Sequence, residues 1–146
     1  MTDSSHSLTD LERAAADRPH DAQALVALAN AYWLSGHGPD VVADLASRAI
    51  AADPENRGGW HLWALSESDP RARVTRWQQV SARFPSDDLA RANVADNAAA
   101  LAGAEHDDDA LDLAIATYEQ LLGTAERPEQ RDALDTAIRN LKGWRF

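Results

Sequence analysis

The stretch that decides the fold is DAQALVALANAYWLSGHGPDVVADLASRAIAADPEN, residues 21–56. Apolar side chains in its first half recur with the spacing of one helical face. This face is formed by Leu25, Leu28, Ala29 and Tyr32. Gly36 ends the helix because glycine tolerates the left-handed conformation that follows many helices, and Pro39 suits the first position of a new helix. The first half therefore predicts one helix and a turn that leads directly into a second.

The second half of the stretch carries an apolar face of its own. Its members are Val42, Leu45, Ala46, Ala49 and Ile50, and Pro54 marks its end. The alanines of the two faces are small enough to let the helix backbones approach closely. Each helix thus covers the apolar face of the other, and the pair leaves an edge that needs a further neighbour.

This helix pair resembles the tetratricopeptide repeat, whose period is about 34 residues. The positions that match the motif are Leu25, Leu28, Ala29, Tyr32, Gly36, Ala49 and Pro54. The turn at residues 36–40 is one residue longer than the motif. The resemblance implies an all-α, right-handed stack of antiparallel helix pairs, that is, an α-solenoid of about seven to eight helices. It also implies a scaffold or adaptor for other proteins.

A second, compressed copy follows the first pair. Trp60, Trp63 and Ala64 take the places of the first helical face, and Pro70 opens the partner helix. The inward residues of that partner are predicted to be Val74, Trp77 and Val80. Both tryptophans of the first helix are therefore predicted to belong to the core.

A third, stretched copy and a closing helix complete the stack. Ser86 is predicted to cap a helix that ends near Gly103, with Leu89 among its inward residues, and Gly123 is predicted to stop the partner helix. A last amphipathic helix over residues 128–141 would cover the end of the stack, as such arrays require.

The two ends of the chain differ from the repeat region. Residues 1–7 are predicted to be disordered, and residues 8–142 to form a single repeat domain whose first helix is capped by Ser7 or Thr9. Residues 143–146 form an aromatic tail. We expect Trp144 and Phe146 to fold back onto the last helix pair, since large exposed aromatic side chains are uncommon on a monomer. Docking of the tail into another chain is the alternative.

The composition narrows the classes of partner and location. With 24 Asp and Glu against 14 Lys and Arg, the net charge is −10 at pH 7. Nucleic acid and anionic membranes are therefore not expected as partners, because both need a cationic surface. Cysteine is absent, so disulfides and thiolate metal sites are excluded. Neither a signal-peptide pattern nor an apolar run near the ~20 residues of a membrane span is seen. These features predict a cytoplasmic protein.

No sequence pattern indicates catalysis or a bound cofactor. The five histidines include no i, i+4 pair that would place two metal ligands on one helical face. The acidic run EHDDD, residues 105–109, is predicted to be a solvated helix cap rather than a cation site, because carboxylates are favoured at a helix N-terminus. Nucleophile elbows and phosphate-binding loops are absent. We therefore predict no cofactor, no metal and no enzymatic activity.

The resemblance also implies a binding groove on the first helix of each pair. The groove residues it points to are Val26, Asn30, Trp33, His61, Leu65, Ala92 and Asp96. Trp33 follows the core residue Tyr32 and cannot share its face, so it is predicted to be a hot spot, with packing on the neighbouring pair as the alternative. The clamp with which a subgroup of the family grips carboxylate tails matches only at Asn30. Capture of chaperone tails is therefore not expected.

The predicted function is that of a non-catalytic adaptor, which binds a protein or peptide in the concave groove. The alternative is a structural or assembly subunit. It would form homo-oligomers, or dock to an enzyme, through the ends of the stack or through the tail.

Overall fold

The computed structural model describes residues 7–146, and in that range it contains eight α-helices and no strand. The helices are α1 (Leu8–Asp17), α2 (Ala22–Leu34), α3 (Pro39–Ala52), α4 (Arg57–Leu65), α5 (Pro70–Arg83), α6 (Asp88–Glu105), α7 (Asp108–Thr124) and α8 (Pro128–Lys142). The prediction of an all-α protein with about seven to eight helices is confirmed for these residues. The predicted disorder of residues 1–7 lies outside the described residues, apart from Ser7.

The helices group into two compact units, called unit 1 (Met1–Ser68, with α1 to α4) and unit 2 (Asp69–Phe146, with α5 to α8). In unit 1, α2 packs against α1 and α3, and α4 contacts both α3 and α2. In unit 2, each helix packs against the next one along the chain. The single repeat domain over residues 8–142 stays a prediction.

Side-chain caps and prolines fix where the helices begin. The Asp21 carboxylate accepts the N–H of Gln23 at 3.0 Å, and Pro39 occupies the start of α3. Further caps at the starts of α1, α4, α5, α6 and α7 are Ser7, Asn56, Asp69, Asp87 and Asp107. Each cap accepts an N–H that has no acceptor within its helix. Short polar residues before apolar helical runs thus set the boundaries.

The turn between α2 and α3 has the conformation that the sequence predicts. Gly36 adopts a φ of 81°, in the left-handed region that favours glycine. The Tyr32 ring stacks on His37 with a centroid distance of 4.4 Å, and its hydroxyl donates to Glu12 at 2.5 Å. This hydrogen bond raises the pKa of Tyr32 and ties α2 to α1.

Each unit has its own apolar core, and alanine contributes heavily to both. In unit 1, Leu25, Val42 and Ala29 have no exposed surface. In unit 2, the largest buried side chain is Trp77, at 1% exposure. A cluster of buried apolar residues in unit 2 consists of Val74, Ala98, Leu101, Ala102, Ala110, Leu111, Ala114 and Leu141. The small side chains let the backbones of neighbouring helices lie close together.

The predicted core face of α4 is partly wrong. Ala64 is fully buried as expected, but Trp60 and Trp63 are only half-buried, whereas Leu62 is 5% exposed. The two tryptophan rings pack edge to face at 5.5 Å, and the Trp60 indole donates to the carbonyl of Pro54 at 2.8 Å. The N–H of Trp60 thus has an acceptor, and both rings lie at the edge of the core rather than inside it.

The predicted boundaries of α6 and α7 also need correction. Asp87, rather than Ser86, caps α6, and Leu89 is 60% exposed in its first turn. The helix continues through Gly103 and ends at Glu105, and the C-cap residue His106 has a left-handed φ of 52°. Gly123 does not stop α7, which runs on to Thr124. The two helices thus end two residues after Gly103 and one residue after Gly123.

Candidate functional site

Unit 1 contains a cleft between α2 and α4 with a volume of about 450 Å³. It is lined by Gln23, Val26, Ala27 and Asn30 of α2 and by Asn56, Gly58, His61, Leu62 and Leu65 at or within α4. The α2 residues recur at i, i+3, i+4 and i+7, so they form one helical face. This face lies beside the core face of Leu25, Leu28 and Ala29, which explains how α2 can pack inward and line a cleft at once.

The floor of the cleft depends on a glycine. A Cβ built at Gly58 would lie 3.1 Å from Cγ1 of Val26, which is tighter than most contacts in proteins. Any larger residue here would therefore push α4 away from α2 or force Val26 to move. The absence of a side chain lets the first turn of α4 approach α2, and Val26 and Leu62 line the apolar floor.

The lining of the α2–α4 cleft carries amides and one imidazole but no Asp, Glu, Lys or Arg among the described residues. The Asn56 amide oxygen accepts the N–H of Gly59 at 3.1 Å and so belongs to the helix cap. The side-chain amides of Gln23 and Asn30 are exposed and make no hydrogen bond to other described residues. The cleft thus offers neutral hydrogen-bonding groups above an aliphatic floor.

Four of the seven predicted groove residues meet in this cleft. They are Val26, Asn30, His61 and Leu65. Trp33 does not line it, although it follows Val26 by seven residues and so continues the same helical face one turn beyond Asn30. Its side chain is 37% exposed. The roles of these five residues in binding stay predictions.

The remaining predicted groove residues, Ala92 and Asp96, lie on α6 in unit 2, and neither lines the α2–α4 cleft. Ala92 is half-buried and Asp96 is exposed. The Asp96 carboxylate accepts a hydrogen bond from the hydroxyl of Tyr118 on α7. Burial, and then this hydrogen bond, raise the pKa of Tyr118.

Sequence reasoning missed Ala27 and Asn56 as lining residues. Ala27 follows Gln23 by four residues, so helical periodicity alone could have placed it on the cleft face. Asn56 stands just before α4 as its cap, and its side chain reaches the cleft only because α4 lies close to α2. No sequence signal reports that distance.

The aromatic tail lies against unit 2 and contacts the end of α6, whereas the sequence interpretation expected it to fold onto the last helix pair. The Trp144 ring packs over Gly103, where a built Cβ would lie 3.4 Å from Cη2 of the indole. Phe146 stacks on His106 at 5.1 Å with nearly parallel rings. The tail therefore contacts both the last turn of α6 and the residue that ends it.

The acidic run at residues 105–109 serves as a cap and an ion-pair site. The Asp107 carboxylate accepts the N–H of Ala110 at 3.0 Å, and Arg71 bridges Glu105 and Asp107 at 2.8 Å each. The N–H of Ala110 and then Arg71 hold the pKa of Asp107 below its ordinary value.

Over residues 7–146 no cluster of three His, Asp or Glu has the arrangement of a metal site. Nor does that range contain a helix with the length and apolar character needed to cross a bilayer.

No family model matches the chain, and no curated protein matches it significantly. Among solved structures, the crystal structure of MamA aligns with a TM-score of 0.60. The alignment covers 92% of this chain and 84% of that chain at 14% sequence identity. MamA has a tetratricopeptide-like fold, so the likeness supports a helical-repeat fold for this chain. At this identity the likeness concerns the fold alone.

Proposed function

We propose that this chain is a non-catalytic interaction module whose α2–α4 cleft binds an extended peptide segment of a partner protein. The observation that carries the proposal is the lining, which combines an aliphatic floor with unengaged amide groups and lacks formal charge. Such a surface suits an apolar side chain flanked by peptide bonds, because small-molecule and peptide sites are mostly apolar with a few directing polar groups.

Each part of the cleft has a role in this proposal. Val26 and Leu62 hold the apolar side chain of the peptide. The amides of Asn30 and Gln23 each offer a donor and an acceptor, which match the N–H and C=O groups of a peptide backbone. Leu65 and His61 form the α4 wall. Trp33 extends the α2 face for the residues of the peptide that leave the cleft.

The absence of charged side chains from the lining argues against a terminal carboxylate group as the ligand. A terminal carboxylate is normally recognised by Lys or Arg, and the cleft offers neither. We therefore propose an internal peptide segment as the ligand. We further propose a scaffold role in the cytoplasm, where a chain without cysteine has no need of an oxidising compartment.

The test is peptide selection against the immobilised protein, followed by titration calorimetry. Random displayed peptides should enrich sequences that share an apolar residue. Ala27→Trp should weaken their binding by at least about tenfold, because the indole fills the cleft without removing any buried side chain. Asn30→Ala should weaken it by roughly fivefold through the lost backbone hydrogen bonds.

The matched control is Ala16→Trp, which places the same indole on an exposed position of α1 outside the cleft. It should bind the selected peptides as the unmodified protein does. The proposal fails if no sequence class is enriched, or if the two tryptophan variants lose affinity equally.

A further inference from the structure

A second cleft, called the tail cleft, lies within unit 2 between α6, α8 and the aromatic tail. Its volume is about 310 Å³, near the lower end of the range of roughly 300–1,000 Å³ for ligand sites. It is lined by three alanines, Ala99, Ala100 and Ala137, which we call its floor, together with Tyr118, Asn140, Leu141 and Trp144. A space of this size with a floor of methyl groups fits one long side chain rather than a folded segment.

The aromatic wall of the tail cleft is held in place by the packing of the tail. Trp144 lies on Gly103, and its ring meets Phe146 at 6.0 Å in an edge-on arrangement. Phe146 in turn stacks on His106. Trp144 is 36% exposed, so part of its indole surface stays open for a ligand.

The Asp96 carboxylate does not line the tail cleft itself but is hydrogen-bonded to Tyr118, which does. Asp96 accepts the hydroxyl hydrogen of Tyr118, and it lies three and four residues before the alanines of the floor on the same face of α6. Within the described part of the chain, Asp96 forms no ion pair.

The cations next to the lining residues Leu141 and Trp144 have other partners. Lys142 pairs with Glu119 at 3.2 Å. The Arg145 guanidinium donates to the backbone carbonyls of Lys142 and Trp144 at 3.0 and 2.7 Å. Asp96 therefore has no cationic partner among the described residues and can accept from a cation of another molecule.

We propose that the tail cleft binds the side chain of an arginine presented by a peptide partner. The aliphatic part of that side chain lies on the alanine floor, and the planar guanidinium stacks against the Trp144 indole while donating to Asp96. Arginine fits better than lysine because its guanidinium is flat, stacks on aromatic rings and pairs with a carboxylate through a fork of donors. Every residue involved belongs to unit 2, so this site is separate from the α2–α4 cleft.

The test follows the indole signals of the full chain by NMR while a short peptide is added. The probe is acetyl-Gly-Arg-Gly-amide, and its matched control replaces arginine by citrulline, which has nearly the same shape and no charge. Trp144→Phe identifies the Trp144 signal among the five tryptophans. The arginine peptide should shift this signal saturably, and the citrulline peptide should bind about tenfold more weakly.

Asp96→Asn removes the charge and keeps an acceptor for Tyr118. It should weaken binding of the arginine peptide by roughly five- to tenfold. Asp112→Asn is the control, because Asp112 is an exposed α7 carboxylate that, unlike Asp96, has no hydrogen bond to a lining residue of the tail cleft. Its loss should change binding by less than about twofold. The proposal is overturned if the Trp144 signal does not move, if the citrulline peptide binds equally well, or if both carboxylate variants lose the same affinity.

Discussion

Replacing Gly103 by alanine adds a methyl group to α6 directly beneath the tail. The new Cβ would lie 3.4 Å from Cη2 and 3.5 Å from Cζ3 of the Trp144 indole. These are ordinary van der Waals distances, so the methyl group fits without displacing the ring. We therefore expect Gly103→Ala to stabilise the protein.

The size of this effect follows from the position of Gly103 inside a regular helix. Alanine is favoured over glycine by about 1 kcal/mol in a helix interior, and because Gly103 lies in the last turn of α6 we expect roughly 0.5–1 kcal/mol. For a chain of 146 residues, 1 kcal/mol corresponds to a rise in Tm of about 3–5 °C.

The assay is urea unfolding followed by circular dichroism, with Gly36→Ala as the matched control. The same added methyl group at Gly36 meets no atom within 4 Å, but the φ of 81° strains any L-residue. That variant should lose about 1–2 kcal/mol, so an identical chemical change should have opposite signs at the two sites. A lower urea midpoint for Gly103→Ala would show that Trp144 packs more tightly on α6 than described, and would refute the reasoning.

Two further predictions concern the core and the cap of unit 2. Trp77→Ala should lower the free energy of unfolding by about 3–5 kcal/mol because the side chain is fully buried, whereas Leu34→Ala, at 76% exposure, should stay within about 0.5 kcal/mol in the same urea assay. Asp107→Asn should destabilise the protein at neutral pH. Because the folded pKa of Asp107 is lowered from its ordinary value of 3.8, its contribution is present above that pH and is lost as the pH falls through the folded value. The difference between this variant and the unmodified protein should therefore shrink in acid, and a difference that is constant with pH would contradict the assignment.

Local signals explain why the first helix pair could be predicted closely. Gly36 and Pro39 act within one turn, and the spacing of the apolar residues in α2 depends only on helical periodicity. The core face of α4 could not be read in this way, because this helix is apolar on several sides. Which side faces inward depends on how close α4 comes to its neighbours. Gly58 permits the close approach of α4 to α2, but the distance between the two helices cannot be predicted from the sequence.

The same distinction applies to α6 and to the candidate site. Gly103 resembles a helix stop in sequence, yet α6 continues through it and Trp144, forty-one residues later, covers it. The resemblance to a known repeat points to Val26 and Asn30 on α2 and to His61 and Leu65 on the next helix, and all four line the cleft. The separation of Trp33 from the cleft lining depends on three-dimensional spacing, which a linear pattern does not contain.

The alanines of the core constrain the drift of this sequence over evolutionary time. Ala46, Ala98 and Ala114 have no exposed surface and already carry one of the smallest side chains available. Nearly every replacement at such a site enlarges the side chain and pushes two helices apart, which typically costs about 1–3 kcal/mol. Large core residues can shrink or change shape, but these positions can vary only among glycine, serine and cysteine. Among related chains, these alanines should be the slowest positions to change, so small residues should remain there after the surface residues have diverged.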